Sequence, residues 1–340
     1  MAFKCPLFNY THGENYQNIV INIRVSVACF SLLGSLFVIG LIWLFKKYKF
    51  YIQRLILYLS VSAFLSSTAF IMGRFDYDLF DNDLNPEAAQ RLCVFQGFWL
   101  LYTDWTVLLS IFCITFNLLW TVFTELKLPW FEAVYFCVIF ALPGVISCIP
   151  FYGDSFGPSG AWCWIRSKND NCTENVLGTA FQFGVWYIPQ YVFIILMFIM
   201  YTAVIIKLLV KTRPRTWQGT YDPTVRREKE GPKEDSKSLF WYPTVYFAVS
   251  LLPLINRIVA NVGQDPIFSL YVLHVISSPL QGALTALAYA LDKQTLRRLR
   301  WSNIKASFRY RNMDAVVKEY PVGPQNDEGE PFLKGRPKQT

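Results

Sequence analysis

Residues 176–206 read VLGTAFQFGVWYIPQYVFIILMFIMYTAVII and contain no charged side chain. An apolar helix of about 20 residues is long enough to cross the ~30 Å hydrocarbon core of a bilayer. Six further apolar stretches, long enough to span a bilayer, occur at 20–45, 55–72, 92–123, 130–149, 239–262 and 267–291. A helix satisfies its own backbone groups in lipid without neighbouring strands. The sequence therefore predicts an all-α protein, a bundle of seven transmembrane helices.

The distribution of positive charge predicts the orientation of this bundle. If the N-terminus lies outside the cell, twenty-five of the thirty-two Lys and Arg residues fall in cytoplasmic segments and only five fall outside. Cytoplasmic loops of membrane proteins carry such an excess. Two glycosylation sequons, at Asn9 and Asn171, fall on the outer side in the same arrangement. We therefore expect an extracellular N-terminus, a cytoplasmic C-terminus and a location in the plasma membrane.

The apolar stretches and their flanks also predict the organisation of the chain. We expect an extracellular arm over residues 1–19, a transmembrane domain over 20–291, a short amphipathic eighth helix over 292–303 and a cytoplasmic tail over 304–340. The eighth helix can turn its leucines toward lipid and its arginines toward the headgroups. The tail is polar and rich in proline, a composition that predicts disorder.

The composition excludes several classes of function. The net charge of +8 comes from basic residues on the predicted cytoplasmic face, where they meet anionic lipids, so we expect no nucleic-acid partner. The chain has two His and no His/Cys cluster with metal-ligand spacing, so we expect no enzyme activity, no cofactor and no metal site. A retinal pump needs a lysine in its seventh helix, and 267–291 contains none. A seven-helix transporter or channel is the alternative that stays open.

Four cysteines fall on the predicted outer side, which is an oxidising compartment. They are Cys5, Cys93, Cys163 and Cys172, and four cysteines allow three pairings. We favour Cys93 with Cys163, because this bridge would tie the top of the third helix to the second outer loop. Cys5 with Cys172 would then form a second bridge that holds the N-terminal arm.

Several local strings carry a resemblance to a known family. The second outer loop reads GAWCWI at 160–165, and the sixth helix contains YPTVY at 242–246 and LINRI at 254–258. The seventh helix reads PLQGALTALAY at 279–289. Together with seven helices and an eighth surface helix, these strings resemble the cyclic-AMP-receptor-like family of G-protein-coupled receptors. Two positions depart from the expected patterns: residues 117–125 contain no Asp-Arg-Tyr, and Thr285 stands where this family has Asn.

The resemblance implies a receptor that passes an extracellular signal to a heterotrimeric G protein by helix rearrangement. The signal would be a small molecule, and the resemblance does not imply that it is cyclic AMP. The G protein would meet the cytoplasmic face, and the basic residues Arg226, Arg227 and Lys229 border the predicted coupling cavity. These residues can also bind anionic lipid, and both interpretations stay open.

Charges at membrane depth are few, and each needs a partner or water because burying one costs roughly 2.5–3.5 kcal/mol. Arg24 and Glu132 fall near helix ends, so we expect their side chains to extend to the membrane surface. Asp104 and Arg257 fall deeper, in the third and sixth helices. They predict an interhelical ion pair, a ligand pocket, or both.

Other side chains in the predicted outer half complete the candidate ligand site. The whole set is Asp104, Gln182, Trp186, Gln190, Arg257 and His274. A histidine in a helical bundle is also a common hydrogen-bonding group within the protein, and tryptophan is common in the interfacial belt. A structural role is therefore the alternative for these residues.

Overall fold

The computed structural model of the 340-residue chain describes residues 13–81, 86–124, 131–159, 162–169, 173–211, 223–261 and 267–290. Within these ranges, the side chains of 13–17, 75–81, 86, 211, 223–240 and 261 are not described.

Seven apolar helices account for most of the described residues. Their bounds are α1 Gly13–Leu44, α2 Tyr51–Asp81, α3 Pro86–Thr124, α4 Phe131–Phe151, α5 Val176–Val210, α6 Pro223–Asn261, and α7 in two pieces, α7a Phe268–Ser277 and α7b Gln281–Ala290. Six are long and apolar enough to cross a membrane, and the bent pair α7a–α7b makes a seventh span when it is counted as one. The prediction of an all-α bundle of seven membrane helices is confirmed.

Two of the helices contain π-helical turns. These turns are Cys137–Ala141 in α4 and Gln182–Tyr187 in α5. A π turn adds one residue to a helical turn and so redirects the side chains around it, which is why such turns are frequent at functional sites. In α5 the turn ends just before Pro189, a residue that has no backbone N–H to donate.

Helix α7 is broken near its middle. The two pieces meet at 53°, and the break contains Pro279. Beyond the break, α7b packs closely on α1: the Gly282 N–H donates to Ser31 Oγ at 2.8 Å, and a side chain at position 282 would collide with Ser31 and Ser35. The break therefore lets α7b stay against α1 while α7a takes another direction.

A short β-hairpin covers one end of the bundle, which we name the hairpin end. Its antiparallel strands are β1 Phe156–Pro158 and β2 Cys163–Ile165, with Phe156 opposite Ile165. The hairpin lies directly on α3, because Gly97 has no side chain: a Cβ there would meet the Phe156 ring and the backbone of Trp164. All three residues of β2 are buried.

The outward faces of the helices are apolar. On α5, the side chains of Ile188, Ile195 and Ile199 are all exposed. A large exposed apolar surface on a soluble protein would be a liability, whereas lipid solvates it.

Candidate ligand site

The hairpin is attached to α3 by a disulfide. Cys93 and Cys163 are bonded, with their Cα atoms 5.2 Å apart, so the pairing favoured by the sequence is present. Gln96, one turn along α3, adds two hydrogen bonds: its Oε1 accepts from the Cys163 N–H at 3.0 Å and its Nε2 donates to the Ala69 carbonyl at 2.9 Å. We name this contact of α2, α3 and β2 the hairpin junction.

A cavity of about 70 Å³ lies beneath the hairpin. Side chains from α3, α5, α6, α7 and the hairpin surround it, with one contribution from α2. The lining residues are Phe70, Leu100, Asp104, Trp162, Trp164, Trp186, Tyr187, Gln190, Tyr246, Val249, Ser250, Pro253, Arg257, His274, Ser277, Ser278 and Gln281. A buried water needs about 10–15 Å³ by this kind of measure, so the cavity has room for about five waters or one compact ligand.

Five of the six predicted ligand residues line this cavity: Asp104, Trp186, Gln190, Arg257 and His274. The sixth, Gln182, does not line it. Its Nε2 donates to the Ile165 carbonyl at 2.7 Å, so this side chain fastens α5 to the hairpin. The π turn that begins at Gln182 separates its direction from that of Trp186. That any of the five contacts a ligand stays a prediction.

Asp104 supplies the acidic group of the cavity. Its Oδ1 accepts a hydrogen bond from Ser66 Oγ on α2 at 3.3 Å. Among the residues that the structure describes, no ion pair joins Asp104 to Arg257. The ion pair that the sequence raised as one interpretation is therefore not formed, although both side chains line the same cavity.

Arg257 supplies the basic group, on the side of the cavity nearer the hairpin. Its Nη2 donates to Ser159 Oγ at 3.0 Å, and its guanidinium lies 5.6 Å from the centre of the Trp164 ring. Cation–π contacts of this kind are attractive, more so when they are shielded from water. Arg257 therefore connects α6 to the hairpin.

His274 lies between α6 and the hairpin. Asn256 Nδ2 and His274 Nδ1 are 2.9 Å apart, so a hydrogen bond joins the two side chains. The imidazole also packs edge-to-face on Trp162, with the ring centres 5.1 Å apart. His274 is thus a hydrogen-bonding group of the bundle and a wall of the cavity at once.

The far side of the cavity, which we name the floor, carries amide groups with unused hydrogen-bonding capacity. Gln190 Nε2 donates to the Tyr246 hydroxyl at 3.2 Å, which joins α5 to α6. Within the described part of the chain, Gln190 Oε1 and Gln281 Nε2 are buried and have no hydrogen-bond partner. A buried polar atom without a partner needs an explanation, and a bound water or ligand is one of them.

Several lining residues were not predicted from the sequence. Tyr246, Ser277, Ser278 and Gln281 face the cavity because of the pitch of α6 and the break in α7. Pro279 is the one sequence signal that points to this break, because a proline inside a helix removes a backbone hydrogen bond.

Two charged residues are placed differently from the sequence expectation. Arg24 does not extend to the membrane surface: it is fully buried, and its guanidinium lies 5.9 Å from the centre of the Trp162 ring. Gly73 on α2 leaves room for it, since a Cβ there would collide with the guanidinium. Glu132 forms an ion pair with Arg54 at 2.6 Å and accepts from the Tyr58 hydroxyl at 3.2 Å, so it joins α4 to α2.

Some predicted features lie outside the described residues. These are the second disulfide of Cys5 with Cys172, the sequons at Asn9 and Asn171, the eighth helix over 292–303 and the tail over 304–340. Arg226, Arg227 and Lys229 lie in α6, in a part whose side chains are not described.

Comparison with known proteins gives the cavity a context. A family model described as "G protein-coupled glucose receptor regulating Gpa2 C-term" matches residues 226–298, which include most of α6 and all of α7. Cyclic AMP receptor-like protein A of Dictyostelium discoideum is 21% identical over 267 residues, which cover 77% of this chain and 61% of that protein. The chain is similar to G-protein-coupled receptors. The resemblance to the cyclic-AMP-receptor-like receptors is confirmed by this match.

Two further relatives are also named as receptors. G-protein coupled receptor 1 of Arabidopsis thaliana is 23% identical over 285 residues, which cover 83% of this chain and 81% of that protein. Cyclic AMP receptor 2 of Dictyostelium discoideum is 26% identical over 194 residues, which cover 57% of this chain and 46% of that protein. The chain thus spans only part of the length of two of these relatives. It is a receptor-like, multi-pass membrane protein, and relatives named as receptors fit a protein that is not an enzyme.

Proposed function

We propose that this protein is a G-protein-coupled receptor of the plasma membrane, in which a small molecule from outside the cell binds the cavity and a heterotrimeric G protein binds the opposite end. The N-terminus is extracellular and the C-terminus is cytoplasmic. The observation that carries this proposal is the cavity beneath the hairpin, where charged and polar side chains of α3, α5, α6 and α7 converge. Convergent polar groups in an otherwise apolar pocket are typical of a ligand site.

The orientation follows from the hairpin end being outside. A disulfide persists in an oxidising compartment, and Cys93–Cys163 lies at that end. The sequons at Asn9 and Asn171 and the distribution of Lys and Arg support the same orientation. The cavity then lies in the outer half of the bundle, and the start of α6 lies in the cytoplasm.

A route from the cavity to the cytoplasmic end runs through α6 and α7b. Tyr246 and Gln281 line the cavity and also a second cavity of about 10 Å³, which includes Tyr242 and Thr285. The residues of the second cavity lie farther from the hairpin end along both helices. A ligand that changes the contacts of Arg257 or Gln190 would therefore change the packing of α6 where a G protein needs it to move outward.

The size of such a response is limited by ligand affinity. A ligand shifts a two-state equilibrium only by the difference between its affinities for the two states. Moving the population from about 1:99 to 99:1 needs a difference of about 10⁴-fold, or roughly 5.5 kcal/mol. A ligand would supply this difference through contacts with Asp104 and Arg257 that form in one state and not in the other.

Basic residues at the cytoplasmic end are the proposed contacts for the G protein and for anionic lipids. Replacing Arg226, Arg227 and Lys229 together by Gln should lower G-protein nucleotide exchange several-fold and leave surface expression unchanged. The matched control replaces Arg297, Arg298 and Arg300 by Gln, which should mainly loosen the eighth helix, since each basic residue near an anionic leaflet contributes about 1 kcal/mol. Wild-type exchange in the first variant would limit these three residues to a role in membrane orientation.

A transporter is the second candidate, and the broken α7 is the observation that favours it. Discontinuous membrane helices form the binding sites of many transporters. The two functions are separated by one preparation of the full chain in lipid: guanine-nucleotide exchange on a purified heterotrimeric G protein, against solute flux into liposomes. We expect exchange without flux. Flux without exchange would overturn the receptor proposal.

A further inference from the structure

The cavity carries one acidic and one basic side chain on different walls. Asp104 comes from α3 and Arg257 comes from α6, and both line the same space. No ion pair joins them among the described residues. Two unlike charges that face one cavity without meeting each other fit a ligand that carries both signs of charge.

Among the described residues, no cationic side chain forms an ion pair with Asp104 on the acidic wall. The one hydrogen bond of the Asp104 carboxylate within the described residues comes from Ser66 Oγ, at a long 3.3 Å. A carboxylate has room for several donors, and at membrane depth a lone charge is unfavourable. Gln190 supplies a second acceptor to the same cavity, in addition to the Asp104 carboxylate. Its side chain is 4% exposed, and its Oε1 has no partner among the described residues. An ammonium group has three N–H donors, which is enough for both acceptors.

The basic wall fits an anion. Arg257 is held by Ser159 and faces the Trp164 ring, and it keeps these contacts while it lines the cavity. The inference needs only the charge of Arg257 and its place in the wall. A guanidinium has five N–H donors, and its planar geometry matches a carboxylate.

The size and the remaining walls restrict the ligand further. A cavity of about 70 Å³ holds about five waters, a volume that also suits a compact molecule such as glycine, alanine or β-alanine. The rings of Trp162 and Trp186 form apolar walls, and an aromatic face also attracts an ammonium group.

We propose that the cavity takes a small zwitterion, a molecule of the amino-acid class, with its ammonium group at Asp104 and Gln190 and its acid group at Arg257. This inference rests on the proposed receptor function for its ligand site, and it adds the chemical class of the ligand. A neutral sugar would leave the Asp104 carboxylate without a counter-charge. An anion such as a nucleotide would pair with Arg257 and be repelled by Asp104.

The test is a thermal-shift measurement on the full chain in lipid nanodiscs. The probes are the common α-amino acids, β-alanine and γ-aminobutyrate, together with matched half-ligands: propionate for the acid, ethylamine for the amine, glucose as a neutral polyol, cyclic AMP as an anion, and sodium chloride alone. We expect at least one zwitterion to raise the melting temperature in a saturable way, and neither of its half-ligands to do so. Stabilisation by glucose, cyclic AMP or sodium alone, with no effect of any zwitterion, would overturn the inference.

Two charge-removing variants test which side chain binds the ammonium group and which binds the acid group. Asp104→Asn should weaken binding of the zwitterion at least about tenfold. The zwitterion should then bind this variant no more tightly than the acid half-ligand does. In Arg257→Gln, the zwitterion should bind no more tightly than the amine half-ligand does. The matched controls are Asp154→Asn and Arg91→Gln, which remove the same charges from exposed positions outside the cavity. If Arg257→Gln fails to fold, Arg257→Lys keeps the charge and should retain zwitterion binding. Unchanged binding in Asp104→Asn would contradict the proposal.

This readout contains no G protein, so it separates the two claims. Zwitterion binding without nucleotide exchange would contradict only the receptor function. Nucleotide exchange that is driven by a sugar and unaffected by Asp104→Asn would contradict only the ligand class.

Discussion

The hairpin junction and the floor of the cavity both place glutamine side chains inside the bundle, but they use them differently. In the junction, Gln96 has both amide atoms bonded, one to the Cys163 N–H and one to the Ala69 carbonyl. In the floor, Gln190 and Gln281 each keep one buried amide atom without a partner in the described part of the chain.

This difference indicates which part of the molecule is fixed and which part can change. A buried hydrogen bond contributes about 0.5–1.5 kcal/mol net, and losing one partner costs more because the other atom stays desolvated. The junction also carries the disulfide, so one covalent bond and two hydrogen bonds fix its geometry. The floor lies beside a π turn and a broken helix, and its unused atoms can gain energy only when something binds or the helices rearrange.

The largest expected effect concerns the disulfide of the junction. Replacing Cys93 by Ala should lower the free energy of unfolding by about 2–5 kcal/mol, because the unfolded chain gains freedom. Chemical unfolding in mixed micelles measures this. Cys148→Ala, at an exposed free cysteine, is the control and should change little. Non-reducing peptide mapping should recover Cys93 and Cys163 in one fragment, and a free thiol at either position in folded protein would contradict the junction as described.

The next effect tests the amide of the junction. Gln96→Leu leaves the Cys163 N–H buried without an acceptor, so the free energy of unfolding should fall by about 1–3 kcal/mol. The same micelle unfolding experiment measures it. A neutral result would mean that Gln96 adds nothing to the disulfide in holding β2 on α3.

Gln281→Leu is the matched change in the floor and should have a smaller effect on stability. No hydrogen bond of the Gln281 side chain is found among the described residues, and a leucine removes a buried polar atom that has no partner. We expect a change within about 1 kcal/mol in either direction, together with an altered ligand response in nucleotide exchange. A loss as large as that of Gln96→Leu would erase the distinction between the two regions.

The smallest expected effect is a coupling energy. Asp104 and Arg257 do not pair, so the stability changes of Asp104→Asn and Arg257→Gln should add in the double variant to within about 0.5 kcal/mol. A double-mutant cycle on unfolding free energies measures the coupling. If the double variant is more stable than the sum predicts by over about 1 kcal/mol, the two side chains form an ion pair in the unliganded protein, and the cavity is closed across its middle.

The residues of the site show how far sequence reasoning reaches. Asp104 and Arg257 are found from the sequence because charges at membrane depth are costly and therefore rare. Gln182 and Gln190 look equivalent in sequence, yet Gln182 fastens the hairpin and Gln190 lines the cavity. The two side chains differ in direction because the π turn Gln182–Tyr187 lies between them. Arg24 looks like a residue near a helix end, and only the space beside Gly73 explains its burial.

The sequence by itself determined that the protein is an all-α membrane protein with seven membrane helices. These follow from the cost of exposing backbone groups and charges to lipid, which depends on local composition and on length. Tertiary structure decided which polar groups meet. The partners of Gln96, the separation of Asp104 from Arg257 and the unused amides of the floor depend on helix pitch, on the 53° break in α7 and on close approaches at glycines. Such features depend on contacts between residues far apart in sequence, and no local pattern contains that information.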